Sequence, residues 1–154
     1  MSEDTRSHIY QIDLEADPET VFEALITPSA ICQWWGASTA IVLPEMGGFW
    51  NAAWGDTDDP DYITFHRITE YEYPHVIELD ETLYHTKFEA PPFDLNVKAR
   101  FEVDPISDRF TSIRVIQSGF PQDEIADEFY AACEKGWHDT FEGLRKYITS
   151  GGEL

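Results

Sequence analysis

The sequence predicts an α+β domain in which an antiparallel sheet carries one long helix across it. Three observations point there. Apart from Asp17 to Gly36, the stretch from His8 to Ser118 is a run of short segments with a period of two, separated by turn residues, the pattern of half-buried strands. Near Gln122 the period changes to three or four and holds to Ile148, which describes one amphipathic helix. Strands gathered ahead of a single terminal helix, rather than alternating with helices, indicate α+β and not repeated βαβ units. The 154 residues suit one domain, expected over 1–154 with a core from about 8 to 149.

The elements follow in order. From His8 to Glu15, Tyr10, Ile12 and Leu14 point one way while Gln11 and Asp13 point the other. Asp17-Pro18-Glu19 then starts a helix: Asp accepts an orphan amide bond, Pro has no amide to leave unpaired, and Glu suits the positive helix end. Thr27-Pro28 ends it, because the residue before proline avoids the helical region. A second short helix carries Ile31, Cys32, Trp34 and Trp35, and Gly36 closes it. Short strands are expected at Ala40–Leu43 and Phe49–Trp54, the latter with Trp50, Ala52 and Trp54 on one face. Gly55–Asp61 reads as a hairpin loop. Tyr62–Tyr71 and His75–Thr82 pair across Tyr73-Pro74. In Asn96–Val103, Val97, Ala99, Phe101 and Val103 face in. Phe110–Ser118 is the last strand, with Ile113 and Val115 on one face. The terminal stripe is Ile125, Phe129, Cys133, Trp137, Phe141, Leu144 and Ile148. A helix of that reach exceeds the width of a small sheet, so it lies across the sheet with its stripe inward.

Ten Lys and Arg against thirty Asp and Glu give a formal charge of −20. Phosphate contacts need a basic surplus, so nucleic acid is not an expected partner, and anionic membrane surfaces are disfavoured likewise. No apolar run is long enough to span a bilayer, and Met1 to Arg6 lacks the blocks of a signal peptide. A cytoplasmic location is therefore expected. Cys32 and Cys133 both sit among apolar residues, as buried free cysteines do. The acidic excess spreads over loops and polar faces, as in Asp123, Glu124, Asp127, Glu128, Glu134, Asp139 and Glu142. It reads as a solubilising surface, or as adaptation to a salty cytosol.

Several segments carry a resemblance. They are Ala16-Asp-Pro-Glu-Thr-Val-Phe-Glu-Ala-Leu-Ile-Thr-Pro28, Trp34-Trp35, Gly47-Gly48-Phe-Trp50, Gly119 before the terminal helix, and Gly136-Trp137 followed by Leu144. In this order the chain resembles the helix-grip superfamily of START-like, or SRPBCC, domains. Within it, the chain is similar to the branch named after the activator of the heat-shock-protein-90 ATPase. The resemblance spans Tyr10 to Ile148. It implies a curved antiparallel sheet of six or seven strands, two short helices near the N-terminus, and a long C-terminal helix over a cavity. Two departures stand out. His66 occupies a strand position where the family often has Gly, and the hairpin Tyr73-Pro74 has one proline rather than two.

The implied cavity gives the candidate site. Its expected lining is Trp35, Trp50, Trp54, His66, Phe101, Phe129, Cys133, Trp137 and Phe141, although aromatics at core spacing also simply fill cores. For His66 the alternation permits two readings. The preferred one turns Ile63, Phe65 and Tyr71 inward and leaves His66 solvated; the other turns His66 and Glu70 into the cavity as an acid/base pair. No metal is expected, because Cys133 and His138 are badly spaced for one helix face. The loop Asp56–Asp61 also lacks the glycine and final glutamate of a calcium loop. No cofactor is expected, and no nucleophile elbow or other catalytic signature occurs.

Three functions compete. The first is binding of a small apolar ligand in the cavity. The second is an enzyme of cyclase, dehydratase or hydrolase type, which would need inward polar groups such as His66, Glu70, Tyr130 or His85. The third is a protein-interaction module by analogy with the chaperone activator, although that activator has a further N-terminal domain for which this chain has no room. Monomer and homodimer are both compatible with the sequence.

Overall fold

A computed structural model describes residues 5–88, 97–122 and 124–151. Its elements are β1 (Thr5–Leu14), α1 (Pro18–Ile26), α2 (Pro28–Trp34), β2 (Thr39–Val42), β3 (Phe49–Asp56), β4 (Asp59–Glu72), β5 (Val76–Thr86), β6 (Lys98–Pro105), β7 (Thr111–Pro121) and α3 (Asp127–Thr149). The strands form one antiparallel sheet in the order β1-β7-β6-β5-β4-β3-β2. The long helix packs on its inner face, and α1 and α2 close one end. The expected strand start at Asn96 and the acidic residue Asp123 lie outside the described residues.

The local signals act as their chemistry requires. The Asp17 side chain accepts from the Thr20 amide at 2.7 Å, with Pro18 opening α1. Gly36 takes φ 78° just past α2, a conformation other residues adopt at a cost. Trp137, Phe141 and Leu144 of α3 are buried against Leu14, Phe101 and Val115 from the strands. Gly143 permits this approach: a Cβ there would lie 2.5 Å from the Trp34 carbonyl oxygen.

Three boundaries differ from expectation. The β3–β4 loop shrinks to Thr57-Asp58. Gly55 at φ 99° takes up a register shift, and Lys87 bridges Asp59 and Asp61 at 3.0 and 3.1 Å. Gly119 lies inside β7 rather than between it and the helix. The terminal helix begins with a 3₁₀ turn at Glu124–Ala126. The tighter turn buries Ala126 and leaves Ile125 56% exposed, so Ile125 is not part of the inward stripe.

Two bulges in the β4–β5 pairing decide what faces inward. Strict alternation along β4 would place Tyr71 opposite His66 in phase. The register slips between Ile68 and Glu70, so Thr69 is the extra residue and the phase inverts there. Thr64, His66, Ile68 and Tyr71 thus share the inner side, while Phe65 is 42% exposed and Glu70 faces out. The reading that turned Phe65 inward and solvated His66 is corrected by this geometry. A second slip, between Phe65 and His66, pairs His66 with Glu81.

Candidate functional site

Between the sheet, α3 and the end of α2 lies a cavity of about 130 Å³. Its wall is indole. Trp35 follows α2 and is the hub, with ring centroids 5.3 Å from Trp50, 6.0 Å from Trp54 and 5.5 Å from Trp137. Phe101 meets Trp137 edge-on at 5.6 Å. The rings are pinned by their N–H groups. Trp50 donates to the Leu25 carbonyl at 2.9 Å, Trp54 to the Trp35 carbonyl at 3.2 Å, and Trp137 to Gln117 Oε1 at 2.7 Å. An indole that is buried needs such a partner, and here each bond also fixes the face presented to the cavity.

The floor is polar. Thr64 and His66 come from β4, Glu81 from β5 and Gln117 from β7. His66 Nδ1 lies 3.2 Å from the Trp50 carbonyl oxygen. A carbonyl only accepts, so Nδ1 carries a proton. His66 Nε2 faces Glu81 Oε2 at 3.5 Å, and both side chains are 13% exposed. Thr64 is 9% exposed, and its Oγ1 has no hydrogen-bond partner among the described residues. Around Glu81 the other acids are held neutral. Burial, then the Glu81 charge, pushes the Cys133 thiol up to about 12. Burial, then Tyr62 and Glu81, pushes the Tyr84 phenol up to about 12. No lysine or arginine lines the cavity among the described residues.

Of the expected lining, Trp35, Trp50, Trp54, His66, Phe101 and Trp137 surround this cavity. Phe141 is core instead, packed against Tyr10 and Trp137. Phe129 packs on Phe120 at the far end of the helix. Cys133 is half-buried on α3 outside the lining. The candidate acid/base partner Glu70 lies on the opposite face of the sheet, paired with Arg100 beside Glu78 and Glu102. His85 is exposed, and the Tyr130 hydroxyl donates to the Ser7 carbonyl at 2.7 Å. Sequence reading missed Thr64, Glu81 and Gln117 as site residues. Two of them had a signal: Glu81 continues the phase of Ile77 and Leu79, and Gln117 that of Ile113 and Val115.

A larger cleft, about 510 Å³, runs outside between α1, the start of α2 and the end of α3. Asp17, Glu19 and Glu23 line it, and Glu23 accepts from the Tyr73 hydroxyl at 2.8 Å. It opens to solvent, and among the described residues that line it no buried polar side-chain atom is left unpaired. The smaller cavity, with its aromatic walls and converging polar atoms, is the better candidate site.

A long helix gripped by a curved antiparallel sheet over an aromatic cavity defines the helix-grip class. The chain belongs to the family described as Activator of Hsp90 ATPase homolog 1-like protein, which matches residues 15–149. Protein MLL2253 from Mesorhizobium loti is 22% identical, with a TM-score of 0.76 over 97% of this chain and 100% of its own. The Aha1 dimer from Colwellia psychrerythraea is 15% identical, with a TM-score of 0.67 over 92% of this chain and 95% of its own. CalU16 from Micromonospora echinospora is 15% identical, with a TM-score of 0.68 over 94% of this chain and 76% of its own. At these identities the likeness is one of fold. Comparison with curated proteins gives no match. Among the described residues, no helix is long and apolar enough to cross a membrane.

Proposed function

We propose that the protein binds a small, largely apolar molecule in the tryptophan-walled cavity. The observation that carries this reading is the wall itself: four indoles and Phe101 enclose a space of about 130 Å³ above polar atoms that converge on it. The N–H bonds of Trp50, Trp54 and Trp137 suit binding, because fewer side chains have to be ordered when the ligand arrives. The volume supports a short ligand. It resembles the cavity of about 150 Å³ that takes benzene in an engineered protein, and it falls below the roughly 300 Å³ at which drug-sized sites begin. A screen by thermal shift and native mass spectrometry, spanning single-ring compounds, flavonoids and lipids, tests it. Single-ring compounds are expected to add one molecule per chain and raise the melting temperature. No adduct with any class, in a folded sample, would overturn the reading.

Catalysis is the second reading, favoured by His66 and Glu81 at 3.5 Å. Beside a bound molecule, Nε2 is placed to take or give a proton. Turnover of a bound compound that disappears in His66→Gln, with binding retained, would establish it. The dimer solved for the Colwellia protein supports a homodimer among the two oligomeric states expected, which sedimentation at micromolar concentration separates.

A further inference from the structure

We infer that the cavity selects a small organic cation, a protonated amine carried on one aromatic ring or a short apolar group. The inference rests on the proposed binding function and adds the charge of the ligand. The floor carries the Glu81 carboxyl beside the Thr64 hydroxyl, the His66 ring and the Gln117 amide, with no Lys or Arg among the described lining residues to balance the acid. Glu81 is mostly buried, and its one ion-pairing partner among the described residues is His66 at 3.5 Å, longer than a good hydrogen bond. With Nδ1 of His66 directed at the Trp50 carbonyl, the ring atom that faces the carboxylate is Nε2, at a distance that leaves the Glu81 oxygens without a close donor among the described residues. Thr64 Oγ1, on the same face of β4 and more than nine-tenths buried, also has no hydrogen-bond partner among the described residues.

An ammonium group supplies what these atoms lack. It has several N–H donors and a positive charge, and a buried carboxylate strengthens such a bond. The walls favour the same ligand, because indole faces attract cations more than other aromatic rings do. An anion meets the opposite conditions: an unbalanced carboxylate and the negative edge of the field set by a net charge of −20. Fatty acids and aryl carboxylates are therefore disfavoured, which apolarity alone would not do.

Benzylamine, benzyl alcohol and benzoate share one ring and differ in charge, and isothermal titration with each is the test. It is run at about pH 8, above the usual imidazole range, in about 0.5 M NaCl to screen the surface. Benzylamine is expected to bind at least about tenfold tighter than benzyl alcohol, and benzoate not at all; tenfold corresponds to about 1.4 kcal/mol. In Glu81→Gln the tenfold ratio of benzylamine to benzyl alcohol affinity is expected to fall to about one, whatever the absolute affinities. Benzyl alcohol or benzoate binding as tightly as benzylamine, or an amine preference that survives Glu81→Gln, overturns the inference and leaves the cavity reading standing. If none of the three binds, the inference falls, while the cavity reading is decided by the wider screen of ligand classes.

Discussion

At Thr64 stability and binding pull apart. Its hydroxyl is buried without a hydrogen-bond partner among the described residues, and an unsatisfied buried hydroxyl costs about 1–3 kcal/mol. Thr64→Val keeps the shape and the strand preference of the residue, so it is expected to stabilise the free protein by about 1 kcal/mol in urea unfolding. It is also expected to weaken any ligand that donates to that oxygen. A destabilised Thr64→Val would mean that the hydroxyl has a partner in solution. Cys133 gives a second residue-level expectation. With its thiol pushed up to about 12, about one molecule in ten thousand is thiolate at about pH 8, and thiolate is the reacting form. Alkylation of Cys133 by iodoacetamide is expected to be at least about a hundredfold slower in the folded than in the unfolded protein. Equal rates, read by peptide mass, would refute the burial.

At the scale of the element, the terminal helix has two glycines with opposite roles. A Cβ at Gly143 would meet the Trp34 carbonyl oxygen at 2.5 Å, whereas nothing lies within 4 Å of one at Gly136. Gly143→Ala forces α3 away from α2 and is expected to cost about 1–2 kcal/mol, since overpacking outweighs the gain in helix propensity. Gly136→Ala is expected to stabilise by about 0.5–1 kcal/mol. Paired urea melts check both signs, and a stabilising Gly143→Ala would show that the helices do not pack this closely. Elements also show what the sequence could reveal. The Asp17-Pro18 start, the alternation of Ile12 and Leu14, and the stripe of Trp137, Phe141 and Leu144 are local signals that nothing distant overrides. The inward turn of His66 was not legible, because β4 carries apolar residues on both faces and an added residue at Thr69 inverts its phase. Bulges depend on pairing between strands, which a single strand's periodicity does not encode. Glu70, which the second reading turned inward with His66, falls on the outer face for the same reason.

For the whole molecule, the charge of −20 acts through self-repulsion of a surface. Cations answer part of it locally. On the outer face, Arg100 and Arg114 flank Glu102 and hold its carboxyl below the ordinary range. That contribution is present above the ordinary glutamate range and is lost as pH falls through the lowered value. Most of the charge has no such answer. Salt shortens the Debye length from about 10 Å at 0.1 M to about 3 Å at 1 M, so the melting temperature is expected to rise with NaCl up to about 1 M. A flat or falling curve in differential scanning calorimetry would contradict this. The architecture was legible from period and element order, and most of the aromatic wall followed from it. Its polar floor was legible only in part: Glu81 and Gln117 continue inward phases, but their convergence with Thr64 depends on the pairing of strands distant in sequence.

The central claim is that the indole-walled cavity admits and holds a small molecule. The nitrogen–proton spectrum of the five indole groups, titrated with benzylamine and with benzyl alcohol, tests it most directly. Trp35, Trp50, Trp54 and Trp137 line the cavity, whereas Trp34 points its N–H at the Ala24 carbonyl, 2.8 Å away and outside that lining. The expected result is saturable movement of the four wall signals, with Trp34 moving least. No movement with either compound, or equal drift of all five signals without saturation, would contradict it.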